Sequence, residues 1–436
     1  MQLLTSVPHW KQRLLLWTAA LGVGAAAVLF AKLADLAQWA LRQILQTSSL
    51  WIWLMAPLGF CAIAWLTRKY FRGAEGSGIP QTIFALRPDA DPIARALLRP
   101  KVVIGRIILA AAGLFCGASV GREGPTVHVG AAIAASFSRW IPHGDSSAQR
   151  RTLILAGGAA GVAAAFNTPL AGIVFAIEEL SRSFEERASG ATLTAVVLAG
   201  IVAIALTGDY IYFGQPVVSA AGQGISLMTI CAAILFGVCG GVFSKLTLRL
   251  VGGLPGIVGR WQKQSPAGFA FVCGIVIAAI GLSCHQLTFG TGYVEAKSVL
   301  ELNAHLPWYY APARALATLV AYLSGIPAGL LAPSLSVGAG LGQLVADVSG
   351  AASPVPLAIL GMCGYLAGVT QAPLTSLVIV MEMTGQHAMI LPLMVTAALP
   401  TAVSKFLSAP LYQTLALRFV PAAASIPSEA VSRRNP

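Results

Sequence analysis

Charged side chains are scarce in this 436-residue sequence. Asp, Glu, Lys and Arg together make up 10% of the chain, whereas about a quarter of residues are charged in typical soluble domains. Apolar residues make up 56% and the mean hydropathy is +0.76. This composition excludes an ordinary water-soluble domain, because too few polar residues are present to cover its surface. The sequence therefore predicts a protein whose main solvent is lipid.

Several chemical signatures are also missing. No GxxxxGK[ST] phosphate loop occurs, so the chain has no motif for ATP-driven transport. None of the seven cysteines forms a CxxC pair, and although Cys284 adjoins His285, no further Cys or His lies beside them at metal-ligand spacing. We therefore interpret the cysteines as packing residues, and we expect neither a metal site nor a cofactor.

The basic residues do not form the long patch that nucleic-acid binding requires, although the formal net charge is +12. They occur in short clusters that flank apolar runs, which is typical of membrane topology signals. These clusters are Lys11 and Arg13; Arg68, Lys69 and Arg72; Arg95, Arg99, Lys101 and Arg106; and Arg150 and Arg151. By the positive-inside rule we expect the N-terminus to be cytoplasmic. The first apolar run is long and lacks a small-residue cleavage site, so we do not expect a signal peptide.

Apolar runs follow one another along almost the whole chain. They are 14–31, 50–67, 103–121, 152–177, 191–207, 225–244, 267–283, 314–332, 355–369, 373–381 and 389–403. A bilayer core of about 30 Å needs roughly 20 apolar residues per helix, and several of these runs are shorter or are cut by Gly and Pro. Broken helices are tolerated in lipid only where protein or a cavity covers the break. The pattern predicts a multi-pass membrane protein with a transport pathway.

Landmarks in the first half of the chain recur in the second half. Gly76-Ser77-Gly78 recurs as Gly290-Thr291-Gly292, and the helix-opening prolines Pro125 and Pro169 recur as Pro333 and Pro373, at offsets of 214, 208 and 204 residues. Internal repeats of this kind are common in transporters. We predict two membrane repeats, 1–215 and 216–420, followed by a disordered tail, 421–436, without a regulatory domain. Spacing alone leaves open whether the repeats are parallel or inverted.

The run Gly121-Arg122-Glu123-Gly124-Pro125-Thr126 places a carboxylate at a predicted helix start, because Pro is favoured in the first helical turn. Free amides and the helix dipole favour an anion at such an end. A tethered carboxylate can occupy the place of that anion, and protonation would release it. Glu123 is therefore a candidate proton-sensitive gate. The alternative is that Glu123 merely pairs with Arg122 at a membrane surface.

Two further loops precede apolar helices in a similar way. In Gly76-Ser77-Gly78-Ile79-Pro80 a hydroxyl lies between two glycines, which allow close backbone approach. By itself this motif is more often an ordinary helix N-cap. The stretch 325–333 again has Pro where a helix should begin. If these helix starts converged with the start after Glu123, they would form an anion cage without a fixed cation.

Two carboxylates and a late tyrosine complete the set of candidates. Glu178 and Glu179 end an apolar run, and a charge within a spanning segment costs about 2.5–3.5 kcal/mol on insertion scales, so such residues suggest function. The alternative is an aqueous position beside Arg182, which we favour for Glu178. The hydroxyl of Tyr412 can donate to a bound anion, although a tyrosine near a helix end is more often an interfacial anchor.

Taken together, these motifs resemble the CLC family of chloride channels and transporters over nearly the whole chain. The matching stretches are GSGIP at 76–80, GREGPTV at 121–127, GIPAGLLAP at 325–333, NTPLAGIVFAIEE at 167–179, and Tyr412. The resemblance implies an all-α polytopic membrane protein with two inverted repeats and broken, re-entrant helices. It further implies a homodimer with one pore per subunit, located in the cell inner membrane.

The resemblance also implies roles for particular residues. The anion-binding residues would be Ser77, Gly78, Glu123, Gly124, Leu330, Leu331 and Tyr412. Leu330 and Leu331 would act through their backbone amides. Glu123 would be the external gate, and Glu179 would be the internal residue of proton transfer. The implied function is H+/Cl− antiport, with chloride and the proton as the transported partners.

The chain departs from the family pattern at two places. Ala328-Gly329 and Leu331 stand where the pattern usually has Gly-Gly and Phe. Backbone donors survive this change, whereas pore width and anion preference depend on the side chains that it replaces. His128 lies where prokaryotic members often have Gln. A His there could add pH sensitivity near neutrality, but a packing role on the helix face is the alternative that we favour.

Three other functions compete with antiport. A passive chloride channel is one, but members that behave as channels commonly lack the carboxylate found here at Glu179. A fluoride exporter is another, although Met would be expected in place of Ser77; nitrate and bromide remain possible passengers. Gly117-Ala118-Ser119-Val120-Gly121 matches the GxSxG nucleophile elbow, but it ends an apolar helix instead of joining a strand to a helix. We therefore do not expect an enzyme.

Overall fold

The computed structural model describes residues 7–88, 90–140, 147–181, 190–208, 210–218 and 225–419. Within these ranges the only β-structure is two isolated bridges, so the prediction of an all-α protein is confirmed. Seven helices in the described chain are long and apolar enough to cross a bilayer: Arg13–Thr47, Ser49–Tyr70, Gly190–Thr207, Leu227–Gly252, Pro266–Ser283, Leu331–Ser349 and His387–Leu407. The predicted tail and Arg182 lie outside the described residues.

Nine helices precede residue 215 in the described chain. They are α1 (Val7–Thr47), α2 (Ile52–Tyr70), α3 (Ile79–Ala85), α4 (Asp91–Leu97), α5 (Pro100–Phe115), α6 (Glu123–Ser136), α7 (Ser147–Phe166), α8 (Pro169–Phe175) and α9 (Gly190–Thr207). Proline occupies the first turn of α3, α5 and α8, where its missing N–H costs no hydrogen bond.

Ten helices follow residue 215 in the described chain. They are α10 (Leu227–Gly252), α11 (Gly256–Gln264), α12 (Pro266–Ser283), α13 (Tyr293–Leu302), α14 (Tyr310–Leu323), α15 (Leu331–Ser349), α16 (Val355–Thr370), α17 (Pro373–Thr384), α18 (Ile390–Leu407) and α19 (Leu411–Ala416). Pairs of corresponding helices pack in both halves, including α6 on α7 and α15 on α16.

The apolar run 152–177 contains a break. Helix α7 ends at Phe166, Asn167 adopts a left-handed φ of 56°, and Pro169 begins α8. The corresponding break between α16 and α17 has Gln371 at φ 59°, followed by Pro373. Proline cannot continue a helix, since it lacks the N–H and clashes with the preceding turn. The residues before both prolines are buried, so protein covers each break, as a membrane environment requires.

The two broken regions cap one another. Glu382, at the end of α17, accepts hydrogen bonds from the first-turn N–H groups of α8, at 3.1 and 2.6 Å. Glu178, just after α8, accepts the same pair of bonds from Leu374 and Thr375 of α17, also at 3.1 and 2.6 Å. Such reciprocity is what an approximate two-fold relation between the halves produces. Glu178 lies beside a cavity. Its carboxylate also caps α17, a role that the aqueous position favoured from the sequence does not include.

We expect removal of either cap to destabilise the protein. Each of Glu178→Ala and Glu382→Ala deletes two charge-assisted bonds at a helix N-terminus, so each should lower the free energy of unfolding by about 1–3 kcal/mol. Thermal unfolding of the purified protein in detergent measures the effect. Glu301→Ala is the control, because its 3.6 Å pair with Lys297 is half-exposed and should contribute at most about 1 kcal/mol. Equal melting temperatures for all three variants would contradict the capping role.

A buried arginine holds the loop before α3, and a second one holds the loop before α13. Arg106 on α5 donates to the carbonyls of Gly73, at 2.8 Å, and Gly76, at 2.9 Å. Arg314 on α14 donates to the carbonyl of Gly290, at 2.6 Å. Both side chains are fully buried. The prediction that Arg106 is a surface topology signal is therefore wrong: its charge is satisfied by loop carbonyls inside the protein, as burial of a charge requires.

Candidate functional site

The loops before α3, α6 and α15 meet inside the protein and are joined by backbone hydrogen bonds. Gly76 N–H donates to Ile326, and Ala328 N–H donates back to Gly76, both at 3.1 Å. Gly121 and Gly329 exchange a second pair of bonds, at 2.8 and 3.1 Å. These are the two isolated β-bridges of the fold. The three helix starts are thus fixed relative to one another, and Ala328 supplies its backbone groups despite the departure from Gly.

Glycines allow these loops to approach so closely. A Cβ on Gly124 would overlap the hydroxyl of Ser77, and a Cβ on Gly329 would overlap the carbonyl of Gly121. Gly78, the residue before α3, has a positive φ of 95°, which L-residues with side chains rarely adopt. Both predicted glycine positions, Gly78 and Gly124, therefore shape the site through their missing side chains.

We expect Gly124→Ala to reduce the anion flux that the motifs predict by at least about tenfold, because displacements of about an ångström in a preorganised site can cost 100-fold. The added methyl group would push Ser77 away from α6. Flux in reconstituted liposomes measures this effect. Gly22→Ala on α1 is the matched control, since its Cβ would meet only Ile133, at an ordinary 3.7 Å. Equal flux in the two variants would show that loop spacing does not limit transport.

Glu123 is fully buried at the start of α6. Its carboxylate lies beside the Cα of Gly121 and within interaction range of the backbone amide of Ala332, in the first turn of α15. Neither carboxylate oxygen makes a hydrogen bond of normal geometry within the described structure. The carboxylate therefore occupies the positive ends of two helices, α6 and α15, each equivalent to about half an elementary charge.

Arg122 does not form the predicted surface pair with Glu123. Its guanidinium donates to the Asp35 carboxylate at 2.7 Å and to the Ala31 carbonyl at 2.9 Å, both on α1. That alternative for Glu123 is thereby excluded, since Glu123 is buried and has no guanidinium partner in the described chain.

Ser77 and Tyr412 lie next to one another and are fully buried. Tyr412 is on α19, which packs against α3, and its hydroxyl faces that of Ser77. Neither hydroxyl has a hydrogen-bond partner of normal geometry among the described residues. Burying a polar group without a partner costs about 1–3 kcal/mol, so the pair suits a ligand that accepts hydrogen bonds. The interfacial position considered for Tyr412 is excluded by its burial.

Leu330 and Leu331 are buried at the start of α15. Their apolar side chains contribute no donors, but amides in the first turn of a helix have no partner within the helix. These amides belong to the same helix start that the Glu123 carboxylate faces. The structure thus brings all the predicted anion-binding residues to one region.

Glu179 lies apart from this cluster but is connected to it through α19. It is buried within a π-helical turn, Ala176–Ser181, directly after α8. Its charge acts on the Tyr412 hydroxyl, and the side-chain amide of Gln413 donates to the Glu179 carbonyl at 2.6 Å. Single π-helical turns are frequent at functional sites, because they change the direction of a side chain.

Some site residues were not identified from sequence. Gln413 is one of them, and the one local feature that could have identified it is its position directly after Tyr412. Arg106 and Arg314 stand 208 residues apart, the same offset as Pro125 and Pro333, so the internal repeat itself points to them. Both arginines position loops of the fold without touching the buried hydroxyls.

The remaining candidates lie among packed or paired residues of the fold. His128 is buried with its Cβ against Gly78, in agreement with the favoured packing role. The hydroxyl of Ser119, in the GxSxG stretch, is paired with the Thr318 hydroxyl at 3.0 Å and not with a histidine. No group of three metal-ligating side chains occurs in the part of the chain that the structure describes.

Two cavities lie beside the buried site residues, one near the Ser77 loop and one near Glu179. One of about 240 Å³ is lined by Arg68, Gly76 and Tyr322, and so leads to the loop that carries Ser77. Another, of about 430 Å³, is lined by Glu178 and Lys405 and lies next to the turn that carries Glu179. The two buried regions therefore have separate cavities beside them.

Residues 58–405 match the family described as Voltage gated chloride channel. The H(+)/Cl(-) exchange transporter ClcA of Cronobacter sakazakii is 31% identical over 390 residues, which cover 84% of this chain and 80% of that protein. ClcA of Salmonella agona is 32% identical over 395 residues, covering 84% and 77%.

Solved structures give the same result for the fold. A slow cyanobacterial Cl−/H+ antiporter superposes with a TM-score of 0.78 at 26% identity, covering 93% of this chain and 97% of that one. A CLC-type fluoride/proton antiporter superposes with a TM-score of 0.77, covering 94% and 99%. Its 19% identity supports the fold alone. The all-helical, multi-pass architecture predicted from the motifs is confirmed.

Proposed function

Because the chain belongs to the CLC family of chloride channels and transporters, and is thus a membrane transport protein and not an enzyme, we propose that it exchanges chloride for protons. The observation that carries the proposal is the position of Glu123. Its buried carboxylate faces the positive ends of α6 and α15, close to donors that have no protein acceptor. Relatives at 31–32% identity are named as exchangers, which agrees with this function.

The chloride-binding groups in this proposal are the Ser77 and Tyr412 hydroxyls and the amides of Leu330 and Leu331. Ionised Glu123 competes with an anion for the same two helix ends, since both are attracted by the same partial charges. A protonated Glu123 loses that attraction, and the carboxyl can leave the place to chloride. Proton binding to this one carboxyl group is thereby coupled to chloride binding at the outer position.

Coupling requires a proton route separate from the chloride route. We assign Glu179 to the inner proton route, because it is a second buried acid whose charge acts on Tyr412. The cavity beside Glu178 would admit protons near this residue, and the cavity beside Gly76 would admit chloride. A passive channel would need the chloride route but not the proton route.

Proton pumping by a chloride gradient tests the proposal. The protein is reconstituted in liposomes, the membrane potential is clamped at zero with valinomycin and potassium, and external pH is recorded after a chloride gradient is imposed. We expect protons to move against their own gradient. Chloride flux without proton movement would instead identify a passive channel and would refute antiport. Protein-free liposomes control for leak.

Chloride is the anion that we propose, with bromide and nitrate as passengers. Ser77 offers a hydroxyl donor at the position where a fluoride exporter is expected to have Met. The buried Leu331 replaces the usual Phe and leaves the backbone donors in place. Repeating the pumping assay with fluoride as the only permeant anion distinguishes the two: faster proton movement with fluoride than with chloride would contradict this preference.

We also propose that the protein is a homodimer in the cell inner membrane. Each subunit would be built from the two repeats 1–215 and 216–420. The apolar side chains of Leu170 and Leu374 are half-exposed at the mutually capped starts of α8 and α17, and form a paired outward face that a two-fold partner can cover. Multi-angle light scattering in detergent measures the protein mass. A monomeric mass under conditions that preserve transport would contradict the dimer.

A further inference from the structure

Asp35 is an exposed carboxylate and the one acidic residue of α1. Its side chain is 64% exposed, whereas that of its partner Arg122 is 9% exposed. A carboxylate that faced lipid would be costly, so this part of α1 must face water. Asp35 lies in the last third of α1, whose opposite end carries the basic residues predicted to be cytoplasmic. The Asp35–Arg122 pair therefore lies at the outer mouth of the site.

Arg122 connects α1 to the gate residue. It immediately precedes Glu123, yet its guanidinium is directed to the Asp35 carboxylate at 2.7 Å and the Ala31 carbonyl at 2.9 Å. Its Nε atom has no partner among the described residues. The side chain is long enough to take a second position beside the Glu123 carboxylate, which already lies within its electrostatic range.

The other groups near this pair are few. Tyr210 and Tyr212 lie within electrostatic range of Arg122, and Tyr293 of α13 lies within electrostatic range of Tyr210. Tyrosine hydroxyls are uncharged at neutral pH. Lys32 is the nearest other charge on α1, one turn before Asp35. The electrostatic potential at the outer mouth is therefore set mainly by Asp35, Arg122 and Glu123.

We propose that Asp35 is a positioning residue for the outer gate, which holds the Arg122 guanidinium against α1 and offsets its charge so that it does not pair with ionised Glu123. The inference rests on the proposed gating role of Glu123. Without the Asp35 charge, Arg122 would stabilise the ionised gate. The gate would therefore need a more acidic external solution to open.

The isosteric variant Asp35→Asn tests this proposal in oriented or sided reconstitution. We expect the external pH of half-maximal exchange to fall by about 0.5–1 unit, a three- to tenfold change in proton concentration. The shift should diminish at high ionic strength, where charges near water are screened. The internal pH profile should not change, which separates this role from a merely structural one.

Two controls complete the experiment. Asp35→Glu should restore the wild-type profile. Asp347→Asn removes the carboxylate of an exposed pair with His305, 2.9 Å apart, on the far end of α15, and should leave the profile unchanged. If Asp35→Asn fails to fold, Asp35→Ser replaces it. An external profile that matches that of Asp347→Asn, or a shift toward alkaline pH, overturns the positioning role. Absence of coupling in the wild-type protein would overturn the proposed function itself.

Discussion

Glu123→Gln should abolish proton transport while chloride transport continues. Gln has nearly the shape of a protonated Glu but cannot release a proton, so the gate stays neutral at every pH. The helix ends of α6 and α15 then attract only the anion, because their tethered competitor has lost its charge. Chloride affinity at the outer position should rise about tenfold, equivalent to about 1.4 kcal/mol. Chloride-driven proton pumping and isotope flux measure the two quantities on one preparation.

A control variant and a pH dependence separate the gating role of Glu123 from the general effect of removing a negative charge. Glu301→Gln neutralises a half-exposed carboxylate that pairs with Lys297, and it should pump protons as the wild type does. Chloride flux through Glu123→Gln should also lose its dependence on external pH. Continued proton pumping by Glu123→Gln would mean that another group carries the proton at the outer end, and the gate assignment would be wrong.

Glu179→Gln should also uncouple the two ions, but for a different reason. The neutral side chain cannot relay a proton from the inner side, whereas Glu123 remains able to open and close. Proton pumping should therefore fall to the level of protein-free liposomes, and chloride flux should keep its dependence on external pH. The pH dependence distinguishes loss of the relay from loss of the gate.

The neighbouring carboxylate supplies a matched control for Glu179. Glu178→Gln retains a side-chain oxygen that can accept from the amides of Leu374 and Thr375. Its main effect should be on stability, and proton pumping should persist. If Glu178→Gln uncoupled transport and Glu179→Gln did not, the inner proton route would have to be reassigned to the capping residue.

Local features of this fold could be predicted from the sequence, since each depends on a few adjacent residues. Proline at a helix start, glycine at a close approach and a carboxylate before a helix are of this kind, and they located the Glu123, Ser77 and Leu331 loops. The uneven distribution of apolar and charged residues likewise predicted the membrane environment.

Interactions between distant segments could not be obtained in that way. The carboxylate of Glu382 and the helix that it caps are 212 residues apart, and Asp35 and Arg122 are separated by 87. Nothing in either local sequence specifies the partner, because the path of the chain through the membrane decides it. Arg106 shows the same limit: its position near a helix start fits a topology signal, and only the packing of α5 against the loop reveals its burial.

The reversal potential of the reconstituted protein is the most direct test of exchange. Chloride is held equal on both sides of a planar bilayer while a pH gradient is imposed, and the voltage at zero current is recorded. Coupled exchange predicts a reversal potential that moves away from zero in proportion to the pH difference and that returns to zero in Glu123→Gln. A potential that remains at zero in the wild-type protein at every pH difference would contradict proton coupling and would identify a passive chloride channel.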